Sequence, residues 1–521
     1  MKTLAQIEPR TPISALPFTI SAAGSYYVTS NLTGAAGQHG IIVDADHVTI
    51  DLGGFTLIGP GGGSLNGIRI LAGRTDTTIR NGTIRAWSNI GIFAEDSTSR
   101  DTTVEKVRVI GNGTGGISVG PYSTVRDCEA RGNTGTGIRT HVSSKIIGCT
   151  AAGNTGASSD GINVNSFSAI SGCVTSENGN DGIQAGNQCN VLGSTGSQNA
   201  SVGIRIGSSG CSVQDCSAQS NGSFGYSGQS GVVLGNCAAS FNGGGGFSLS
   251  FGCSLSNCTA YTNTGAGFTT FSGAAFENCT ARFNTGDGFA ASDSTSLHNC
   301  VADGNTGIGI DVGDGSTLAN CTAHANQGSS GIHTGAGATI TGCTARENTS
   351  TATISAGIIT GIDCFISQCA VTANTSTAAT LTPSTGAGIY TIAACTIERC
   401  TVRLNKGDGI RASSLCVVTA NLCDGNGGAG TSGDGAGIHA VGVDARIEGN
   451  HASSNDRGIE VDSVRNTVIR NTANSNTSNY DIVAGNSVGP IVVPAASVAI
   501  VGNGALASSL GTTDPAANFS R

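Results

Sequence analysis

The sequence predicts an all-β fold, a parallel β-helix (solenoid) of about 20 coils with three short strands per coil. Three observations predict it. Glycine supplies 81 of the 521 residues, and charged residues are only 11%, against roughly 25% in a typical soluble domain. A period of 21 residues runs through most of the chain. Within each period, inward-type residues stand two apart, the spacing of one face of a strand. The composition is too poor in Glu, Lys, Leu and Met for a helical protein, and its glycines do not recur every third residue as in collagen. No run of roughly 18 apolar residues is present, so no transmembrane segment is expected. The net charge of −9 argues against nucleic acid as a partner.

The opening segment, residues 1–40, lacks the period and carries Pro9, Pro12 and Pro17. It is expected to be an N-terminal cap, because an open strand edge recruits other chains. Residues 41–480 are expected to form the β-helix and 481–521 a C-terminal cap, all in one continuous domain.

The repeating rung reads C-x-A-x-x-N-x-x-x-G-I. Its Asn column includes Asn133, Asn154, Asn242, Asn263 and Asn284, and its Cys column includes Cys237, Cys258, Cys279 and Cys300. Cys and the small residue two positions later point inward from one strand. An apolar residue three before the Cys, such as Ile340 or Ile397, marks a second strand, and the Gly-Ile pair, as in Gly309-Ile310, opens a third. One coil cannot bury its apolar side alone. Stacking at roughly 4.8 Å turns each position into a column and the columns into a core.

Several columns look chemical and read better as structural. Nineteen Cys suggest disulfides or metal, yet no metal-ligand spacing is present. Stacked neighbours stand roughly 4.8 Å apart, beyond the ~3.8 Å a disulfide prefers. Both the main column and a second one (Cys189, Cys211, Cys253, Cys364, Cys395, Cys416) are expected to be reduced and buried. The Asn column is expected at a turn, where Asn tolerates left-handed backbone and its amides bond along the stack. A second run, Asn236, Asn257, Asn278, Asn299 and Asn320, is read the same way. Tyr226, Phe247, Phe268 and Phe289 are expected to form an inward ring stack. Asp160, Asp181, Asp287 and Asp408 precede glycines. Turn chemistry explains them, with calcium the one cofactor such oxygens suggest; otherwise no cofactor is expected. Insertions at 349–356, 375–387 and 427–436 project from one edge, often the binding face, and are read as tolerated loop length.

These features resemble the right-handed parallel β-helix superfamily, which includes pectate lyases, polygalacturonases, alginate epimerases and NosD-type copper-site assembly proteins. The pattern N-x-x-x-G-I followed by x-I-x-x-[CN] covers about residues 90–480. The opening Gly24-Ser25-Tyr26-Tyr27 and Thr49-Ile50-Asp51-Leu52, and the closing Asn479-Tyr480-Asp481-Ile482, resemble segments of bacterial members. The resemblance implies a right-handed coil and a carbohydrate-active or carbohydrate-binding role. The Asp-Pro-His-Asp run of the epimerases and the Asn-x-Asp, Asp-Asp, Gly-His-Gly set of the polygalacturonases are missing from the sequence.

A β-helix site is a set of outward side chains lined up over neighbouring rungs. The position three after the Cys reads Arg282, Asp303, His324 and Arg346 on successive rungs. A uronate lyase needs a base for the C5 proton and a cation for the carboxylate. His324 or an arginine supplies the base, Asp303 orients His324, and Arg282 and Arg346 hold the carboxylate. The alternative is a surface salt-bridge ladder. A second group follows the Gly-Ile pairs: Asp311 beside His333, with Arg411, His439 and Glu460 further along. Trp87, Tyr122, Tyr261 and Tyr390 are the aromatic candidates for stacking on sugar rings.

The function expected is binding or cleavage of an anionic polysaccharide on an outward groove, by a lyase rather than a glycoside hydrolase if it is an enzyme. The alternative is a non-catalytic structural or cell-surface rod. Residues 1–20 hold no signal-peptide h-region as given, while the resemblance implies export or the cell surface. A monomer is expected.

Overall fold

The computed structural model describes residues 10–63, 65–94, 98–207, 210–378, 385–427, 435–495 and 510–521. Every regular element among them is a β-strand. The chain divides into two compact units, Met1–Thr264 and Gly265–Arg521, and each is built from right-handed parallel coils of three strands.

In the second unit one coil runs Ser296–His298, Val301–Asp303 and Ile310–Val312. The next, Thr317–Ala319, Thr322–His324 and Ser330–Thr334, pairs with it strand for strand in parallel. The first unit repeats this plan, as where Val233–Gly235 and Ala238–Ser240 pair with Ser254–Ser256 and Thr259–Tyr261. We call the three surfaces the pre-cysteine, post-cysteine and Gly-Ile sheets.

Alternation puts the columns where their chemistry belongs. All nineteen cysteines are free and buried. A thiol can donate to the carbonyl two residues before it, as Cys300 Sγ does to His298 O at 3.3 Å. Burial pushes the Cys189 and Cys253 thiols above their ordinary pKa, so they behave as small neutral hydrophobes. Tyr226 stacks on Phe247 with centroids 4.7 Å apart, and Phe268 on Phe289 at 4.8 Å. Trp87 is buried, its Nε1 donating to Leu57 O at 3.4 Å. This corrects its expected outward placement: it fills the end of a coil where Gly34 and Gly40 leave room for the indole.

The Asn column is a continuous buried ladder within each unit. Asn305 is typical: its backbone N and Nδ2 donate to Asn326 Oδ1 at 3.0 and 2.9 Å, and Nδ2 also donates to Ala281 O at 3.1 Å. In turn, Asn305 Oδ1 accepts from Asn284 N and Nδ2, each at 3.0 Å. The left-handed residue is not the ladder Asn but the one before it, such as Gln198 or Ser220, each with φ 55°. The second run does take that conformation, with φ 51–54° from Asn236 to Asn320, so the two Asn columns do different work. The turn aspartates brace the next coil: Asp181, Asp287 and Asp408 accept from the backbone N–H of Val202, Ile308 and Ala436 at 3.0, 2.7 and 2.8 Å.

Parallel pairing already begins inside the segment expected as a cap: Thr11–Ile13 pairs with the strand containing Tyr26–Val28, and Phe18–Ile20 with Ile41–Val43. At the other end Asn518 accepts from Asn471 N at 3.0 Å, taking the next rung of an Asn ladder from a segment that returns after residues 496–509, which lie outside the described residues.

Candidate functional site

Arg282, Asp303, His324 and Arg346 end successive post-cysteine strands, and register sets them side by side. Arg282 Nη2 lies 2.7 Å from Asp303 Oδ2, and His324 Nδ1 lies 2.6 Å from Asp303 Oδ1. The far side of the ring, Nε2, faces Glu347 Oε2 at 3.3 Å, and Arg346 turns to Glu347 at 3.8 Å. The row is open to solvent, with Arg282 and Arg346 about half exposed. Its charges already meet one another along an alternating ladder.

The second group opens a longer column on the Gly-Ile sheet. Registered pairing aligns Asp311, His333, Ile359, Tyr390, Arg411 and His439, and continues to Glu460 and Asp481. His333 Nδ1 lies 2.7 Å from Asp311 Oδ1, a bond that raises the imidazole pKa. Asp311 and His333 stay about two-fifths exposed, whereas Ile359, His439 and Glu460 are buried. Thr349–Ser350 and Thr375–Ser376, both in insertions, form a two-stranded ladder of their own. Ala356, Ile359 and Ala387 form an apolar cluster against which Tyr390 packs. Residues 379–384 and 428–434 of the insertions lie outside the described residues.

Further along the column lies a buried set of titratable groups. Asp408, His439 and Glu460 are each buried. His439 Nε2 is 2.9 Å from Asp462 Oδ2, and Nδ1 is 2.9 Å from both Asp408 Oδ2 and Arg411 Nη1. Arg411 Nη1 also donates to Asp408 Oδ2 at 3.0 Å. A guanidinium only donates and a carboxylate only accepts, so an unprotonated Nδ1 takes the bond from Arg411, whereas a protonated Nδ1 gives one to Asp408 Oδ2. Arg457 Nη1 meets Glu460 Oε1 at 3.2 Å. Glu460 Oε2 lies 3.6 Å from His439 Nδ1 and has no hydrogen-bond partner among the described residues. Burial pushes the Glu460 carboxyl up to about 7, against the pull of His439 and Arg457. Burial opposes charge on His439 too, but Asp408, Glu460 and Asp462 outweigh it and raise its pKa.

Of this set, sequence reasoning named Arg411, His439 and Glu460 but read Asp408 as a turn residue, which it also is. It did not find Arg457 or Asp462. The insertions stretch the spacing from 21 to 28 residues between Arg411 and His439, which hides the column until the register is known. Phe241, Phe251, Phe271 and Phe283, all about half exposed, were likewise missed as outward rings. Tyr122 and Tyr261 are exposed as expected.

The arrangement offers two kinds of chemistry. A neutral buried carboxyl beside an imidazole is an acid–base pair. One ligand atom each from Asp408, His439 and Glu460 lie within 4.8 Å of one another, so the group can hold a divalent cation.

The right-handed beta helix region family matches residues 22–159, 66–218, 160–327 and 290–442. The chain belongs to this family of right-handed β-helix proteins. No curated protein matches the sequence. Among solved structures, the catalytic domain of a GH87 alpha-1,3-glucanase in complex with tetrasaccharides is 13% identical, over 54% of this chain and 61% of that one, with a TM-score of 0.37. The Azotobacter vinelandii mannuronan C-5 epimerase AlgE4 A-module is 14% identical over 67% of this chain and 86% of that one, at 0.25. Pectate lyase Pel9A is 14% identical over 51% and 71%, at 0.27. The match thus spans 61% of the glucanase chain's length, and these likenesses concern the fold alone.

Proposed function

We propose that the protein binds an anionic polysaccharide on the Gly-Ile face of the second unit and cleaves it by elimination at Arg411, His439 and Glu460. One observation carries this reading: three rungs in succession present a guanidinium, an imidazole and a protonatable carboxyl. In this reading Arg411 leaves Asp408 to hold the sugar carboxylate, with Arg457 adding charge to stabilise the developing enolate. His439 Nδ1, its ring fixed by Asp462, takes the proton alpha to that carboxylate. The C4–O bond breaks, a C4–C5 double bond forms, and Glu460 delivers its proton to the departing oxygen. Such positioned acid and base groups contribute about 10²–10⁴-fold each.

A divalent cation held by Asp408, His439 and Glu460 would compete with this chemistry, because the imidazole would serve as a ligand and Glu460 would stay ionised. The imidazole donor suits zinc or manganese better than calcium, which takes oxygen ligands. Incubation with pectate, alginate and glycosaminoglycans, read by ultraviolet absorbance of unsaturated ends, tests the reading. Binding without cleavage favours the non-catalytic alternative.

A further inference from the structure

The Gly-Ile sheet of the first unit carries a different outward column. Registered strands bring Arg69, Arg139 and Arg205 into one line. Each arginine is three rungs from the next, about 14 Å at the strand spacing. Phe93 and Ser118 stand between the first two, and Asn163 and Gln184 between the last two. No carboxylate enters this line, although the chain as a whole has a net charge of −9. The matching line in the second unit mixes acids, bases and apolar residues.

The line is also shaped and braced. A depression of about 170 Å³ adjoins Ser118 and Arg139, and another of about 300 Å³ adjoins Gln184, Arg205 and Ser227. Arg205 is held from behind by buried Asp181, which bonds its Nε and Nη2. Asp181 is itself fixed by Val202 N at 3.0 Å. That leaves Arg205 Nη1 uncommitted among the described residues. Asn163 Nδ2 bonds Gln184 Oε1 at 2.8 Å and Asp160 Oδ2 at 2.7 Å, which locks the amides in orientation. Arg139 is exposed and makes no ion pair among the described residues.

We propose that this column is a second, non-catalytic binding track for a carboxylated polysaccharide. The arginines hold carboxylates, and the serine and amide groups between them bond sugar hydroxyls. The charges are sparse and the hydroxyl-matching groups dense. Double-stranded nucleic acid carries a charge every ~1.7 Å of axis, so it fits the line poorly. The track stands whether or not the second unit cleaves anything.

The test is calorimetric titration of the full chain with polygalacturonate, dextran and duplex DNA, at low and high salt. Polygalacturonate should bind, weaken with salt, and bind about tenfold more weakly to Arg139→Gln, the loss of one charged hydrogen-bonding group. Arg139→Glu should weaken it further. Arg139 is exposed and makes no ion pair among the described residues, so folding should stay intact. Cleavage by the second unit is read separately by ultraviolet absorbance, and its presence or absence leaves the Arg139 comparison standing. Unaltered binding by both Arg139 variants, or equal binding of dextran or DNA, overturns the proposal.

Discussion

Glu460 Oε2 stands 3.6 Å from His439 Nδ1, and no hydrogen-bond donor among the described residues satisfies it. A buried carboxyl oxygen without a donor is costly when ionised, which is why Glu460 holds its proton to about pH 7. The same pair would lose that proton to a cation. Both consequences are measurable.

The first is pH dependence. Glu460 and His439 both have raised pKa values in the folded chain. Each then binds more protons folded than unfolded, so its stabilising contribution is complete at low pH and lost as pH rises through the folded value. For Glu460 that loss begins at the ordinary carboxyl value of 4.5 and is complete as pH passes about 7. In chelator, the wild-type melting temperature should fall between about pH 5 and 8, and Glu460→Gln should fall less. Differential scanning fluorimetry reads the difference.

The second is metal binding. Zinc or manganese should raise the melting temperature by mass action, by a few degrees at saturating excess, and calcium should do less. His439→Ala should remove the zinc effect. Zinc should also slow any cleavage, and chelator should restore it.

The rim row and the buried ladder should differ sharply in stability. Arg282→Ala and His324→Ala remove exposed pairs and should each cost under about 1 kcal/mol. Asn305→Ala leaves the N–H groups of Asn284 without their acceptor inside the core, at about 1–3 kcal/mol for each buried group. Melting curves of the three variants should rank accordingly.

The thiols offer an independent check on the columns. Titration of the native protein should find few reactive groups, and about 19 after denaturation without reductant. Extensive oxidation in the native chain would contradict the stacking geometry.

The fold was legible because its signal is local and repeated. Cys237 and Ala239 stand two apart in each period, and one strand face explains both. The ring stack and the Asn ladder followed from the same period. The candidate site was legible only in fragments. Arg411, His439 and Glu460 lie on one line because Arg411 pairs with His439 and His439 with Glu460, and insertions of unequal length mask that register in sequence. Asp408 was read only as a turn residue, because bracing the Ala436 backbone already explains it. Arg282, Asp303 and His324 drew attention for the opposite reason: they keep the regular period, so their alignment shows in the sequence, whatever its purpose.

The most direct test of the central claim compares two sets of variants on one substrate. Wild type is incubated with the uronan it binds best, and the rate of unsaturated product is read by ultraviolet absorbance. Glu460→Gln and His439→Ala should each lower that rate by about 10²–10⁴-fold, while Arg282→Ala and His324→Ala stay within about threefold. If the rim variants lose activity and Glu460→Gln keeps it, the chemistry belongs to the Arg282–Arg346 row and the account given for the Gly-Ile face is wrong.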